Sequence, residues 1–322
     1  TEIYTLSLHD ALPIWVLNHP ELVMPETMDR VMAVMREQDY TPNWFARGLN
    51  LGKTNTIALL VPSIEYGLYQ KVISGIETVA NNKRNVVFLC NTRNDAAADL
   101  DYLKMFINRR VAGVVLVSSL LNDKQAELLT QAKIPCVHIG KHRLPGCNTI
   151  CYIDYEEGAF RLTKHLISLS HQRIGIILDR AQARESEQIA AGYARALKEA
   201  GLTEYLYSGE NSVQGGYAAA RKIIQGGSLP KAIVTVSDEQ SVGVTKAAQD
   251  VNMAIPEDLA LACMTDSPMC SIVSPPLTSL EQPAQRLGMV AARMLFDSIE
   301  NEEFEIGVPQ EMILQSKLKI RK

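Results

Sequence analysis

From Asn55 onward, short apolar runs alternate with stretches whose apolar residues recur at helical spacing. TIALLVP (56–62) is apolar, rich in β-branched residues and closed by Pro62, the pattern of a buried strand. LYQKVISGIETVANN (68–82) sets Leu68, Val72, Ile76 and Val79 on one stripe and predicts a helix. The rhythm continues with predicted strands at 85–91, 111–119 and 134–140 and helices at 96–109 and about 123–132. A second series follows. It reads as a helix at 156–170, a strand at 173–179 and a helix at 186–201 stopped by Gly201. Strand-like YLYSGE, helix-like GGYAAARKIIQ, a strand at 231–238, a helix at 241–251 and a strand at 258–265 complete it. Strands apolar on both faces need helices on both faces of a parallel sheet, so the expected fold is α/β, with two doubly wound parallel sheets in two lobes. Ligands of such sheets lie beyond the carboxyl ends of the strands, here in a cleft between the lobes.

The first 54 residues break the rhythm. Pro25-Glu26-Thr27 opens a helix whose Val31, Val34 and Met35 form a small apolar face. Asn43 is placed to cap a further short helix, and Gly52 marks a linker. Residues 1–14, TEIYTLSLHDALPI, lack the basic start and small-residue cleavage site of a secretory leader, and Asp10 interrupts their apolar stretch.

Charge and chemistry narrow the function. Lys and Arg number 32 against 36 Asp and Glu, a net charge of −4, which excludes a polybasic mode of DNA binding but leaves room for a small basic reading element. No apolar run reaches the roughly 18 residues of a membrane span, so no membrane partner is expected. The six cysteines, Cys90, Cys136, Cys147, Cys151, Cys263 and Cys270, form no CxxC, and Cys147 and Cys151 lack a second pair, so reduced thiols are expected. With no P-loop, GxSxG or HExxH, neither enzymatic activity nor a cofactor is expected. His138 and His142 are four apart but end a strand with Gly140 between them, so no metal site is expected either.

Four stretches, in this order, resemble the LacI-type bacterial transcription regulators. They are VLNHPELVMPETMDRVMAVMREQDYTPNWFARGLNLGKTNTIALLVPSI, INRRVAGVVLVSS, YIDYEEGAFRLTKHLISLSHQRIGIIL and IVTVSDEQSVGVTKAAQDVNMAIPEDLALACMTDSPMCSIVSPPLTSLEQP. The resemblance covers residues 15–322 and implies a two-lobed periplasmic-binding-protein-like core over 55–322. The first lobe is expected at about 55–153 and 280–307 and the second at about 154–279 and 308–322, with crossings near Asp154, Pro276–Ser279 and Val308. Residues 15–54 would be the remnant of a helix-turn-helix DNA-binding headpiece plus a hinge helix. TEIYTLSLHDALPI shows no helix-turn-helix pattern, and 1–14 is expected to be a non-native leader. The implied activity is that of a cytoplasmic homodimer, a repressor, gripping a palindromic operator in double-stranded DNA under control of a small effector. A solute-binding protein of a transport system, which shares such a core, is the alternative.

By the same resemblance the hinge residues Asn43, Ala46, Arg47 and Leu49 contact DNA, Leu49 as the apolar wedge that opens the minor groove. Ser63, Tyr66, Leu68 and Tyr69 from the first lobe and Ser237, Asp238 and Asp266 from the second would contact the effector. For Asp238, capping of the following helix is an equally good reading. Three departures stand out: Gly140, Ile189 and Thr265 replace a carboxylate, a guanidinium and a second carboxylate. A sugar-derived, nucleoside or phosphorylated ligand is therefore expected over a plain monosaccharide. Lys141, His142 and Arg143 could suit an anion, or simply form a solvated loop. The helices 68–82 and 284–300 match the family's dimer surface, with Leu287, Val290, Ala291, Met294 and Leu295 as an apolar stripe.

Overall fold

A computed structural model describes residues 22–38, 54–179, 183–227, 229–300 and 309–321. The chain divides into two compact units, 1–54 and 55–322. In the first, the described part is one helix, α1 (Pro25–Glu37), begun by Pro25 and burying none of its residues. Asn43, Ala46, Arg47 and Leu49 lie outside the described residues.

The second unit holds two six-stranded sheets. The first, in the order β11-β5-β4-β3-β1-β2, is parallel throughout. It comprises β1 (Thr56–Val61), β2 (Val86–Asn91), β3 (Gly113–Val117), β4 (Cys136–Ile139), β5 (Thr149–Ile153) and β11 (Gln310–Leu314). Residues of β1 alternate between two cores: Ile57, Leu59 and Val61 pack under α2 (Gly67–Asn82) and α10 (Ala284–Glu300), whereas Ala58 and Leu60 pack under α3 (Ala96–Asn108) and α4 (Asp123–Ala132). That is the two-sided burial which makes a parallel strand read as one apolar run.

The second sheet, β12-β10-β9-β8-β6-β7, repeats the plan and is parallel except for β12 (Lys317–Lys319), which runs antiparallel to β10 (Thr278–Glu281). Its inner strands are β10, β9 (Ala260–Cys263), β8 (Ala232–Thr235) and β6 (Ile174–Leu178), with β12 at one edge and β7 (Tyr205–Ser208) at the other. One face packs against α5 (Tyr155–Ser168) and α6 (Ala183–Glu199), the other against α7 (Val213–Gln225), α8 (Asp238–Gln249) and the short α9 (Met269–Ile272). Among the described residues no helix is long and apolar enough to cross a membrane.

Two crossings differ from the expected ones. β10 pairs with β9 through Thr278–Ala262 and Ser279–Cys263, so the chain leaves the second sheet after Glu281 rather than at Pro276–Ser279. β11 pairs with β5 over its full length, so residues 310–314 belong to the first sheet and the last crossing lies at Gln315–Ser316. The cysteines also depart from expectation. A turn bridging Leu144 and Cys147 folds the loop after β4 back, and Cys147 is disulfide-bonded to Cys136. Cys90, Cys151, Cys263 and Cys270 are free and buried.

Much of the expected dimer stripe is consumed inside the lobe. Leu287, Ala291 and Leu295 are buried under the first sheet, and Val290 and Met294 are half-buried against the same core. The two helices meet at glycines: a Cβ on Gly75 would collide with the Gln285 carbonyl, and one on Gly288 with that of Val72. Gly75→Ala should therefore force α2 and α10 apart and cost about 1–3 kcal/mol in urea unfolding. Gly67→Ala, where an added Cβ meets nothing within 4 Å, should change stability by no more than about 0.5 kcal/mol.

Candidate functional site

A cavity of about 480 Å³ separates the carboxyl ends of the first-lobe strands from the second lobe, large enough for a small metabolite. Leu68, Tyr69, Val117, His138 and Ile153 form one wall; Tyr155, Glu156, Arg184, Glu185 and Gln188 form the other. Among the described residues, hydrogen bonds span the lobes. Ser118 donates its hydroxyl to Glu185 at 2.7 Å, Arg184 donates to the Ser119 carbonyl at 3.0 Å, and Lys71 donates to the Asp266 carbonyl at 3.3 Å. Arg184 and Glu185, at the start of α6, carry two of these contacts; neither is among the residues expected from the sequence to contact the effector.

Of the expected effector residues, Leu68 and Tyr69 line this cavity. Tyr66 lies beside it, its ring edge-on to Tyr69 at 5.3 Å, in a smaller pocket with Tyr155, Ile189 and Gln282. Burial first, then neighbouring phenol and carboxylate groups, pushes the phenols of Tyr66, Tyr69 and Tyr155 well above their ordinary value, so all three are neutral. Ser63 is a local turn residue: its Oγ accepts the Glu65 N–H at 3.1 Å, and it lines neither pocket.

The second-lobe residues turn inward. Ser237 is fully buried and caps α8 by accepting the Gln240 N–H at 3.2 Å. Asp238, itself buried, accepts hydroxyls from Thr265 (3.0 Å) and Ser267. Thr265 thus holds Asp238 where a second carboxylate would repel it. Ile189, the replacement for a guanidinium, is buried in the core of the second lobe.

Asp266 lines neither pocket, and its carboxylate is engaged at the end of the second sheet. It accepts from Lys319 at 2.8 Å, Arg321 at 2.7 Å and Ser279 at 2.7 Å, clamping β12 to β10. A carboxylate at this position reads as a ligand contact in sequence because the residues that neutralise it lie some fifty positions later.

The basic cluster is matched as well. Lys141 lies 3.7 Å from Glu156 and Arg143 3.0 Å from Glu311, while His142 is 4.0 Å from Asp123. Five buried side-chain polar atoms of the described residues have no partner: His138 Nε2, Thr163 Oγ1, Asn211 Oδ1, Glu239 Oε2 and Gln282 Oε1. His138 belongs to the cavity wall and Gln282 to the smaller pocket, and Asn211 and Glu239 both act on the Tyr66 phenol. No group of three or more His, Cys, Asp or Glu side chains suited to a metal occurs among the described residues.

Burial pushes the Asp266 carboxyl up, but the bonds from Lys319, Ser279 and Arg321 outweigh it and hold it below the ordinary carboxylate range. Asp266→Asn should therefore cost about 2–4 kcal/mol near neutral pH. With the folded-state value depressed, that stabilisation is present above the unfolded-state value of about 4 and is lost as pH falls through the folded-state value. Urea titrations at pH 7 and pH 3.5 should show the gap between wild type and variant closing. A variant of unchanged stability that has lost ligand would return Asp266 to the cleft.

The profile of the periplasmic binding protein-like domain matches residues 163–322. The HTH-type transcriptional regulator RegA of Clostridium saccharobutylicum is 30% identical over 296 residues, spanning 90% of this chain and 89% of that protein. Among solved structures, the transcriptional regulator CelR in complex with cellobiose superposes with a TM-score of 0.75 at 25% identity, covering 95% of this chain and 93% of that one. The lac repressor dimer bound to operator and the anti-inducer ONPF shares the fold at a TM-score of 0.86 and 20% identity, covering 97% and 94%. Fold, cleft and relatives agree: the chain belongs to the LacI family of ligand-responsive, DNA-binding transcription regulators.

Proposed function

We propose that the cleft binds a neutral, hydroxyl-rich effector, a glycoside or nucleoside, and that the chain works as a homodimer on a palindromic operator. The observation that carries this reading is the cleft itself, lined by both lobes and bridged by Ser118–Glu185 and Arg184–Ser119. A molecule that binds one lobe angle better than another shifts the population toward it, and these bonds are what such a shift would make or break. The ligand class follows from the unmatched polarity. Buried groups without partners near the cleft are acceptors, whereas Lys141, Arg143 and Arg184 already have partners. Acceptors in want of donors suit hydroxyls, and they oppose a phosphate. The cellobiose held by CelR is a ligand of this class.

Calorimetry and thermal shift with ribose, cellobiose, adenosine and glucose 6-phosphate test the proposal. Cellobiose or adenosine should bind at least tenfold more tightly than ribose, about 1.4 kcal/mol. Micromolar binding of the sugar phosphate, with the neutral compounds silent, would reverse the assignment. Glu185→Ala removes one bridge between the lobes, and should change the affinity of any cleft ligand by about threefold to tenfold while leaving each lobe folded. Sedimentation at micromolar concentration should show a dimer.

A further inference from the structure

We propose that His138 is the specificity-determining acceptor of the cleft, its Nε2 receiving a hydroxyl hydrogen from a neutral effector. This deepens the cleft reading above and rests on it.

In a strand, residues two apart share a face, so His138, near the end of β4, and Gly140 just beyond it point the same way. A Cβ on Gly140 would lie 2.7 Å from Cε1 and 2.9 Å from Nε2 of the His138 ring. With the ring where it stands, a side chain at 140 would have to displace it; here the imidazole takes that space. The ring is anchored at its other end, where Nδ1 lies 2.7 Å from the His142 carbonyl. A carbonyl can only accept, so Nδ1 carries the hydrogen and Nε2 is left with a bare lone pair. His138 is 1% exposed, and Nε2 has no partner, an arrangement that costs free energy unless something supplies a donor. Burial, with Arg184 and His142 nearby, pushes the imidazole down to about 4, so the ring stays neutral near pH 7.

The polar side chains that bridge the cavity are already engaged. Ser118 gives its hydroxyl to Glu185, and Arg184 its guanidinium to Ser119. His138 lines the cavity, and on its wall Nε2 is the buried side-chain acceptor left without a partner. A single neutral lone pair takes one hydroxyl; unlike a carboxylate it cannot grip two neighbouring hydroxyls at once, and unlike a cation it offers nothing to a phosphate.

The test uses the full chain with cellobiose, adenosine and ribose as probes. His138→Phe keeps a ring and removes the acceptor; it should weaken whichever probe the wild type binds by about tenfold. His138→Gln restores an amide oxygen at a similar reach and should stay within about threefold of wild type. If His138→Phe does not fold, nitrogen-15 NMR of the wild type at pH 7 decides. The expected signature is a neutral ring protonated at Nδ1, with the Nε2 resonance moving when the probe is added. Undiminished binding by His138→Phe, a proton on Nε2 or an unmoved resonance would overturn the inference and leave the cleft reading intact. Binding of no probe by the wild type would overturn both.

Discussion

Two lobes joined by three crossings can turn against each other only about those crossings, and Asp154 fastens two of them together. Its backbone N–H donates to the Leu314 carbonyl at 3.0 Å, one carboxylate oxygen caps α5 through the Glu157 N–H, and the other accepts Gln315 at 3.1 Å. The third crossing is tied to the end of β9, where Gln282 donates to the Met264 carbonyl at 2.7 Å. The pivot is therefore a short, hydrogen-bonded seam, while the far side of the cleft is held by a few bonds between side chains and loops. Each such bond contributes only about 0.5–1.5 kcal/mol net. Closure is thus a balance that a ligand making two or three contacts can tip.

The inner strands were legible because a parallel sheet covered on both sides leaves its strands uniformly apolar, and β1, β3, β6, β8 and β9 all read that way. The edges were not. β11 (QEMIL) and β12 (KLK) carry polar and charged residues because one side of an edge strand meets solvent. Their pairing rests on backbone hydrogen bonds that leave no mark in composition, so the sequence reading puts the last crossing before β11 rather than after it. β2 (VVFLCN) reads as buried, yet Val86 is 65% exposed at the edge of the first sheet. The disulfide likewise joins cysteines whose spacing matches no motif. Only the fold-back of the loop after β4 brings them together.

The cavity lining was legible where a residue borders it from its own element, as Leu68 and Tyr69 do at the start of α2. It failed where a distant segment decides what a side chain faces. Asp266 is claimed by β12 and its flanking Arg321, and Asp238 by the loop after β9. His138 stood inside an apolar run, where a lone histidine carries no signal. The signal that could have found it was the glycine two residues on, since an absent side chain on the same face of a strand marks space that something else occupies.

The crossing of α2 and α10 has a consequence for how the protein comes to exist. These helices are separated by some two hundred residues, and between them lies nearly the whole second lobe. The first sheet also waits for β11 before β5 has a neighbour on its outer side. The lobe begun first is thus finished last. On the ribosome the second lobe, from β6 to β10, can gather a nearly complete sheet while the first still lacks a helix and a strand. The surface of α2 and the first sheet that α10 covers stays open through that interval, so the early part of the chain, rather than the late part, is where this protein is most exposed to misassembly during synthesis.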